Sequence, residues 1–316
     1  MASSSSSDAT GSRLVQPADP SRAAPSLVVG GDSMIGRALI AALDAAGETP
    51  FATTRRRADV EGRRLYADLE AGEWGDLPTR PFASAYLCAA MARLDDCYAD
   101  PDRAMRVNAI QTARLAADLA ARGCYVLLLS TNQVFDGRRA APHPDDPTTP
   151  ANVYGVTKAA AERRILALAD DPQAVAPGVL RLSKVVEPGM ALFASWVGRL
   201  RSGQEISAAR DMALAPLPVA QVVDAMRAMA AHRLPGIVQL AAAREISYVD
   251  AALHVARRVG APARLVRAVD SVAAGFLKEQ PPPHTILDGS RAFRELGIKP
   301  VDPFAALDAC LAPLMT

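Results

Sequence analysis

The sequence predicts an α/β protein: a doubly wound parallel sheet with a smaller C-terminal region partly interleaved with it. Three observations carry this expectation. Short apolar runs alternate with alanine-rich helical stretches from residue 26 to about residue 169, the rhythm of strand–helix–strand units. The first unit turns through Gly30-Gly-Asp-Ser-Met-Ile-Gly36, a glycine-rich link between strand and helix. A later run, Tyr125-Val-Leu-Leu-Leu129, is apolar almost throughout, as suits a strand covered on both faces.

Composition narrows the classes. A chain of 316 residues that is 50% hydrophobic can bury a sizeable core. Its net charge of +1 gives no reason to expect nucleic acid or an acidic membrane as partner. No apolar run approaches the ~18 residues of a membrane span. Cys88, Cys97, Cys124 and Cys310 lack paired spacing and fit free thiols in a reducing, cytoplasmic compartment. His143, His232, His254 and His284 are equally scattered, so no metal site is expected. The serine-rich residues 1–25 read as a disordered tail.

In order along the chain, Leu27-Val-Val29 is a strand, and residues 37–46 form a helix that Gly47 ends. Between them, Gly30, Asp32, Ser33, Met34, Ile35 and Gly36 make a candidate pyrophosphate cradle. Small residues admit the ligand to the backbone, and the helix N-terminus offers free N–H groups. Serine stands where such turns usually carry a middle glycine. The next strand, residues 50–54, ends in Arg55-Arg-Arg57, about where a fold preferring NAD carries an acidic residue. Guanidinium groups pair well with a 2′-phosphate, so Arg55 and Arg56 point to NADPH/NADP, with NAD left open. A solvated basic turn is the plain alternative.

Asp68 and Leu69 close a third short strand and are candidates for the adenine side; an ordinary loop carboxylate reads almost as well. Residues 82–90 form a buried strand ending in Ala89 and Ala90, small enough for close packing against a ribose. Residues 100–122 read as one helix, with Asp100 as N-cap and Pro101 at its first position. Asn108 lies inside it, where asparagine is usually exposed. Beyond residue 129, Ser130 and Thr131 fall where parallel sheets bind ligands, outside the carboxyl ends of strands.

Asn152-Val-Tyr-Gly-Val-Thr-Lys158 then opens a helix running to residue 169, which sets Tyr154 and Lys158 on one face. An ammonium beside a phenol favours the phenolate. Bringing tyrosine from pH ~10 to neutrality asks its surroundings for about 4 kcal/mol. Taken alone, Tyr-x-x-x-Lys is commonplace on surface helices.

One further strand, Val179-Leu-Arg-Leu-Ser183, precedes a change of pattern. Helices are expected over 193–202, 219–232, 248–259 and 303–311, with short strands over 205–207 and 236–240. This places a nucleotide-binding domain at 26–184 and a substrate-binding region at 185–316. Arg199 and Arg201 read best as a solvated helix face.

Together, the glycine-rich turn, Val107-Asn-Ala109, Ser130-Thr-Asn-Gln-Val-Phe-Asp-Gly137 and Asn152-Val-Tyr-Gly-Val-Thr-Lys158 resemble the extended short-chain dehydrogenase/reductases. The nearest likeness is to the dTDP-4-dehydrorhamnose reductase-like branch, which carries Ser-Thr-Asp-Tyr-Val-Phe-Asp-Gly before Asn-Val-Tyr-Gly-x-Thr-Lys. The likeness continues in Val179-Leu-Arg-Leu-Ser183, Ala215-Pro-Leu-Pro-Val219 and His284-Thr-Ile-Leu-Asp-Gly-Ser-Arg291. It implies a Rossmann-type fold and reduction of a keto group by NADPH. By position, Thr131 holds the substrate carbonyl, Tyr154 donates the proton, Lys158 binds the nicotinamide ribose and lowers the tyrosine pKa, and Asn108 completes the relay. The implied partner is a small-molecule substrate, a sugar nucleotide; a homodimer is compatible with it.

Asn132-Gln133 departs from the branch, which has Asp-Tyr there, and from the Asp-Glu pair of related dehydratases. That argues against dehydration and loosens the link to a dTDP-sugar. Two rivals stay open: an epimerase with tightly held cofactor, and a non-catalytic cofactor-binding subunit, since the regulatory subunit of methionine adenosyltransferase resembles this same branch.

Overall fold

Seven parallel strands form the centre of the computed structural model, which describes residues 24–75, 77, 82–278 and 280–315. Residues 1–23 of the expected disordered tail lie outside the described residues. The first six strands are β1 (Ser26–Val29), β2 (Phe51–Thr54), β3 (Arg64–Tyr66), β4 (Ser84–Leu87), β5 (Tyr125–Thr131) and β6 (Gly178–Leu182). After short strands β7 (Lys184–Val186), β8 (Ile206–Ala209), β9 (Ala213–Leu214) and β10 (Pro216–Pro218), β11 (Gly236–Gln239) returns to the sheet. The order is β11-β6-β5-β4-β1-β2-β3, so the winding reverses between β1 and β4. In open parallel sheets such a reversal is where ligands bind, beyond the carboxyl ends of the strands.

Strand alternation divides the core. Leu27, Val29, Val126 and Leu128 face α4 (Thr112–Ala120) and α5 (Val153–Leu166), meeting Leu115, Leu119, Ala161 and Ile165. Val28, Leu127 and Leu129 face the opposite layer, α1 (Met34–Ala45) and α7 (Val219–His232), meeting Leu39, Leu43, Met226 and Met229. Each such leucine contributes ~1.5–3 kcal/mol on burial. A separate core joins α6 (Ala191–Arg201), α8 (Tyr248–Arg258) and α10 (Pro303–Leu311) through Phe193, Trp196, Val255 and Leu307. Two further two-stranded pairs there use β12 (Ile246–Ser247) and β13 (Val266–Val269), while α9 (Ser290–Leu296) packs near β11.

Three local differences from the sequence expectation bear on the site. The helix expected over 100–122 is broken: α3 (Pro101–Met105) passes into a π-helical stretch, Arg106–Gln111, before α4. The wider turn changes the facing of Asn108, which is buried rather than exposed. Thr112 Oγ1 donates to the Val107 carbonyl at 2.7 Å inside that turn. An additional helix, α2 (Leu94–Ala99), has no side-chain cap to announce it. Finally, β5 pairs with β6 as far as Thr131, so Ser130 and Thr131 are the last strand residues rather than loop residues.

Candidate active site

The glycine turn follows β1, where the winding reverses. Gly30 has φ +86°, and a Cβ there would lie 2.7 Å from the Ala89 amide nitrogen after β4. A Cβ on Gly36 would lie 2.4 Å from the Gly30 carbonyl oxygen. The two strand ends and the helix therefore meet as bare backbone. Ser33 is the N-cap of α1: its hydroxyl donates to the Gly30 carbonyl at 2.8 Å and accepts from the Gly36 amide at 3.0 Å. The serine that departs from the usual glycine spacing thus closes the turn. Met34 and Ile35 occupy the next two positions, whose amides have no partner within the helix. A backbone cradle at a helix N-terminus suits a dinucleotide pyrophosphate.

The edge beside β2 carries mixed charge. Asp32 accepts from Thr54 Oγ1 at 2.8 Å and from Arg64 at 2.5 Å, and pairs with Arg56 at 3.5 Å. Burial opposes ionisation of Asp32. The hydrogen bonds from Thr54 and Arg64, with the charges of Arg64 and Arg56, outweigh it and hold the carboxyl below its usual range. Arg56 also pairs with Asp59 at 2.5 Å, whereas Arg55 is simply exposed. Arg57 turns away to Glu73, at 2.7 Å, and over the Tyr66 ring. Arg64 did not stand out in the sequence. Its Nε is buried with no hydrogen-bond partner among the described residues. Asp68 Oδ1 accepts from the Glu70 and Ala71 amides, Leu69 is core, Ala89 is half-buried against Gly30, and Ala90 is exposed.

The second half of the site forms where β5 ends against the start of α5. Asn152 caps α5 by accepting from the Gly155 amide at 2.8 Å, which places Tyr154 in the first turn. Its Nδ2 donates to Gln133 Oε1 at 2.8 Å. A Cβ on Gly155 would lie 2.0 Å from the Gln133 carbonyl oxygen, so the helix packs directly on the turn that follows Thr131. Thr131 Oγ1 accepts from the Gln133 amide at 3.2 Å and donates to Asn132 Oδ1 at 3.3 Å. Asn132 Nδ2 in turn holds the Thr285 carbonyl at 3.2 Å, bringing the C-terminal segment to the rim.

Tyr154 is half-buried and Lys158 is buried. The electrostatics run opposite to the sequence expectation. Burial pushes the Tyr154 phenol up to about 12, with the nearby Cys97 adding to the rise. Burial also brings Lys158 down to about 8, against the upward pull of Glu162 and Cys88. Desolvation thus outweighs the attraction that a charge pattern alone suggests.

Asn108 is fully engaged. Its Oδ1 accepts from the Met91 amide at 2.7 Å, and its Nδ2 donates to the Met91 carbonyl at 2.9 Å and to Thr157 Oγ1 at 3.0 Å. It clamps the loop after β4 against α5. Beneath the pair lies a cluster that sequence reasoning missed: Ser130, Glu162, Arg181 and Gln239, all buried. The available signal was Arg181, a lone charge inside an apolar strand, which needs a partner. Arg199 donates to the Glu205 carbonyl at 2.8 and 3.1 Å and is occupied in ending α6.

Among the described residues no helix is long and apolar enough to cross a membrane, and no cluster of ligating side chains could hold a metal ion. Comparison with known proteins matches residues 26–315 to the family described as RmlD substrate binding domain. A dTDP-4-keto-6-deoxy-D-glucose reductase from Streptomyces niveus is 29% identical over 281 residues, covering 87% of this chain and 92% of the relative. Two solved structures share the fold. MoeE5 in complex with UDP-glucose and NAD has a TM-score of 0.76 at 22% identity, covering 91% of this chain and 97% of its own. A dTDP-4-dehydrorhamnose reductase from Bacillus anthracis in complex with NADP has a TM-score of 0.73 at 18% identity, covering 92% and 98%. With the glycine cradle, Thr131 and the Tyr154–Lys158 helix on one sheet edge, the chain belongs to the RmlD family, the dTDP-4-dehydrorhamnose reductase-like branch of the extended short-chain dehydrogenase/reductases.

Proposed function

We propose that this enzyme uses NADPH to reduce the keto group of a nucleotide-linked sugar, with Tyr154 as proton donor. The observation that carries the reading is the packing of α5 onto the turn after Thr131, through Gly155 and Gln133. It sets a hydroxyl and a phenol–ammonium pair at the same sheet edge as the turn that begins at Gly30. A bound nicotinamide dinucleotide supplies the hydride. Gly30, Ser33, Met34, Ile35 and Gly36 would hold its pyrophosphate; Arg55, Arg56 and Arg64 would receive the 2′-phosphate; Asp68, Leu69, Ala89 and Ala90 would border the adenosine.

Thr131 hydrogen-bonds the substrate carbonyl, and Tyr154, a phenol at neutral pH, protonates the developing alkoxide. Lys158, largely an ammonium at pH 7, stabilises the phenolate left behind. Asn108 serves by holding Met91 and Thr157 in place. Asn132 and Gln133 are amides with no acid or base function, which suits reduction without dehydration. A cytoplasmic enzyme is the corresponding setting, with a homodimer as the assembly to be measured.

The test is purified protein with NADPH and a panel of nucleotide-linked 4-keto sugars, followed by loss of the reduced cofactor. Tyr154→Phe should lower kcat by about 10²-fold or more while NADPH binding persists. Cofactor binding without oxidation of NADPH by any substrate of the panel would overturn the reductase reading.

A further inference from the structure

Three charged side chains are buried together below the candidate catalytic helix turn. Glu162 follows Lys158 by one helical turn, so their side chains neighbour one another on α5. Lys158, Glu162 and Arg181 are each 2% exposed. Arg181 grips the carboxylate with two nitrogens: Nη2 reaches Oε2 at 2.8 Å, and Nε reaches Oε1 at 3.0 Å. Ser130 Oγ, from the residue before Thr131, donates to Glu162 Oε1 at 2.5 Å.

The remaining Arg181 nitrogen, Nη1, donates to the Pro144 carbonyl at 3.0 Å and to Gln239 Oε1 at 3.2 Å. Gln239 Nε2 donates to the carbonyls of Pro142, at 2.8 Å, and Asp288, at 3.2 Å. The cluster therefore connects α5 to the proline-rich loop and to the segment leading into α9.

Isolated buried ion pairs often contribute little to stability, because desolvation offsets their attraction. This one has a further buried charge to serve. The groups acting on Lys158 are Glu162 on its own helix and Cys88 after β4, while Cys97 on α2 acts on Tyr154. Arg181, from β6, holds the Glu162 carboxylate and is not among the charges that shift Lys158. Cys88 is a neutral thiol, pushed up to about 12 by burial. Glu162 is thus the anion that offsets the Lys158 ammonium.

We propose that Glu162, fixed by Arg181 and Ser130, is a positioning residue that keeps Lys158 protonated beside Tyr154 and ties that charge to the loop bearing Pro142 and Pro144. The functional part rests on the reading of Tyr154 and Lys158 given above. The downward displacement of the Lys158 pKa by burial fits it: without a neighbouring anion the ammonium would be lost near neutrality.

The chain has only four lysines, Lys158, Lys184, Lys278 and Lys299, so NMR of protein labelled at the lysine ε-carbon resolves their titrations individually. In the full chain, Glu162→Gln should move the Lys158 titration down by at least about one pH unit, a tenfold change in its proton affinity. The other three should stay in place. The double variant Glu162→Gln, Arg181→Gln removes the distant cation with the nearer anion and should show a smaller shift in the same direction. It also covers the case in which the single variant does not fold.

With a reducible substrate, Glu162→Gln should lose rate about twofold at pH 7 and about fivefold at pH 8 and regain it at pH 6, a profile that a structural defect would not produce. An unchanged Lys158 titration in a folded variant overturns the proposal. Loss of fold in both variants also counts against it, because a structural role then accounts for the cluster. The titration needs no turnover. Absence of reductase activity would therefore defeat the proposed function without deciding the effect of Glu162 on Lys158.

Discussion

Replacing Lys158 with methionine should stabilise the protein at pH 7 and remove its activity. Methionine keeps much of the lysine's length and apolar volume, so the principal loss is the buried charge. Lys158 titrates near 8 in the folded chain, against an ordinary value of 10.5. At ~1.4 kcal/mol per pH unit, that difference corresponds to about 3 kcal/mol. Below pH 8 both folded and unfolded chains carry the proton, and the folded state bears the full cost of the buried ammonium. As pH rises from about 8 towards 10.5, the folded chain releases the proton first and the cost falls away. The advantage of the methionine variant should therefore be about 3 kcal/mol larger at pH 7 than at pH 10.5. Urea denaturation of both proteins at these two pH values measures it. A wild type more stable than the variant at pH 7, or a difference independent of pH, would refute the assignment of a desolvated ammonium.

Gly155→Ala places a Cβ against the Gln133 carbonyl and should destabilise the fold by ~1–3 kcal/mol while raising KM, read as a lowered Tm and in steady-state kinetics. Arg64→Ser removes the buried, unpartnered Nε beside Asp32. It should weaken NADPH binding about tenfold and leave NADH nearly unchanged, since only the former carries a 2′-phosphate for a guanidinium to bind. Equal weakening of both cofactors, measured by calorimetry, would rule out Arg64 as a phosphate partner.

What could be read from the chain alone was local. Strand, glycine turn and helix at residues 26–45 are adjacent in sequence, so their succession announces itself. Tyr154 and Lys158 share a helix face because they are four residues apart, and Asp100-Pro101 marks a helix start for similarly local reasons. The alternating units likewise implied the parallel sheet. Even where an expected pattern was altered, as at Ser33, the sequence showed the departure; the structure supplied its reason, a hydroxyl closing the turn as helix cap.

Only the tertiary structure decided what surrounds these groups. Arg64 reaches Asp32 across 32 residues, and Arg181 reaches Glu162 across 19, distances over which no periodicity carries information. The inward turn of Asn108 depends on a π-helical stretch that a helical pattern does not distinguish from α-helix. Most consequential are the pKa directions of Tyr154 and Lys158. A sequence displays the charges that attract, but desolvation depends on how completely the folded chain excludes water. Here burial sets the direction of both shifts.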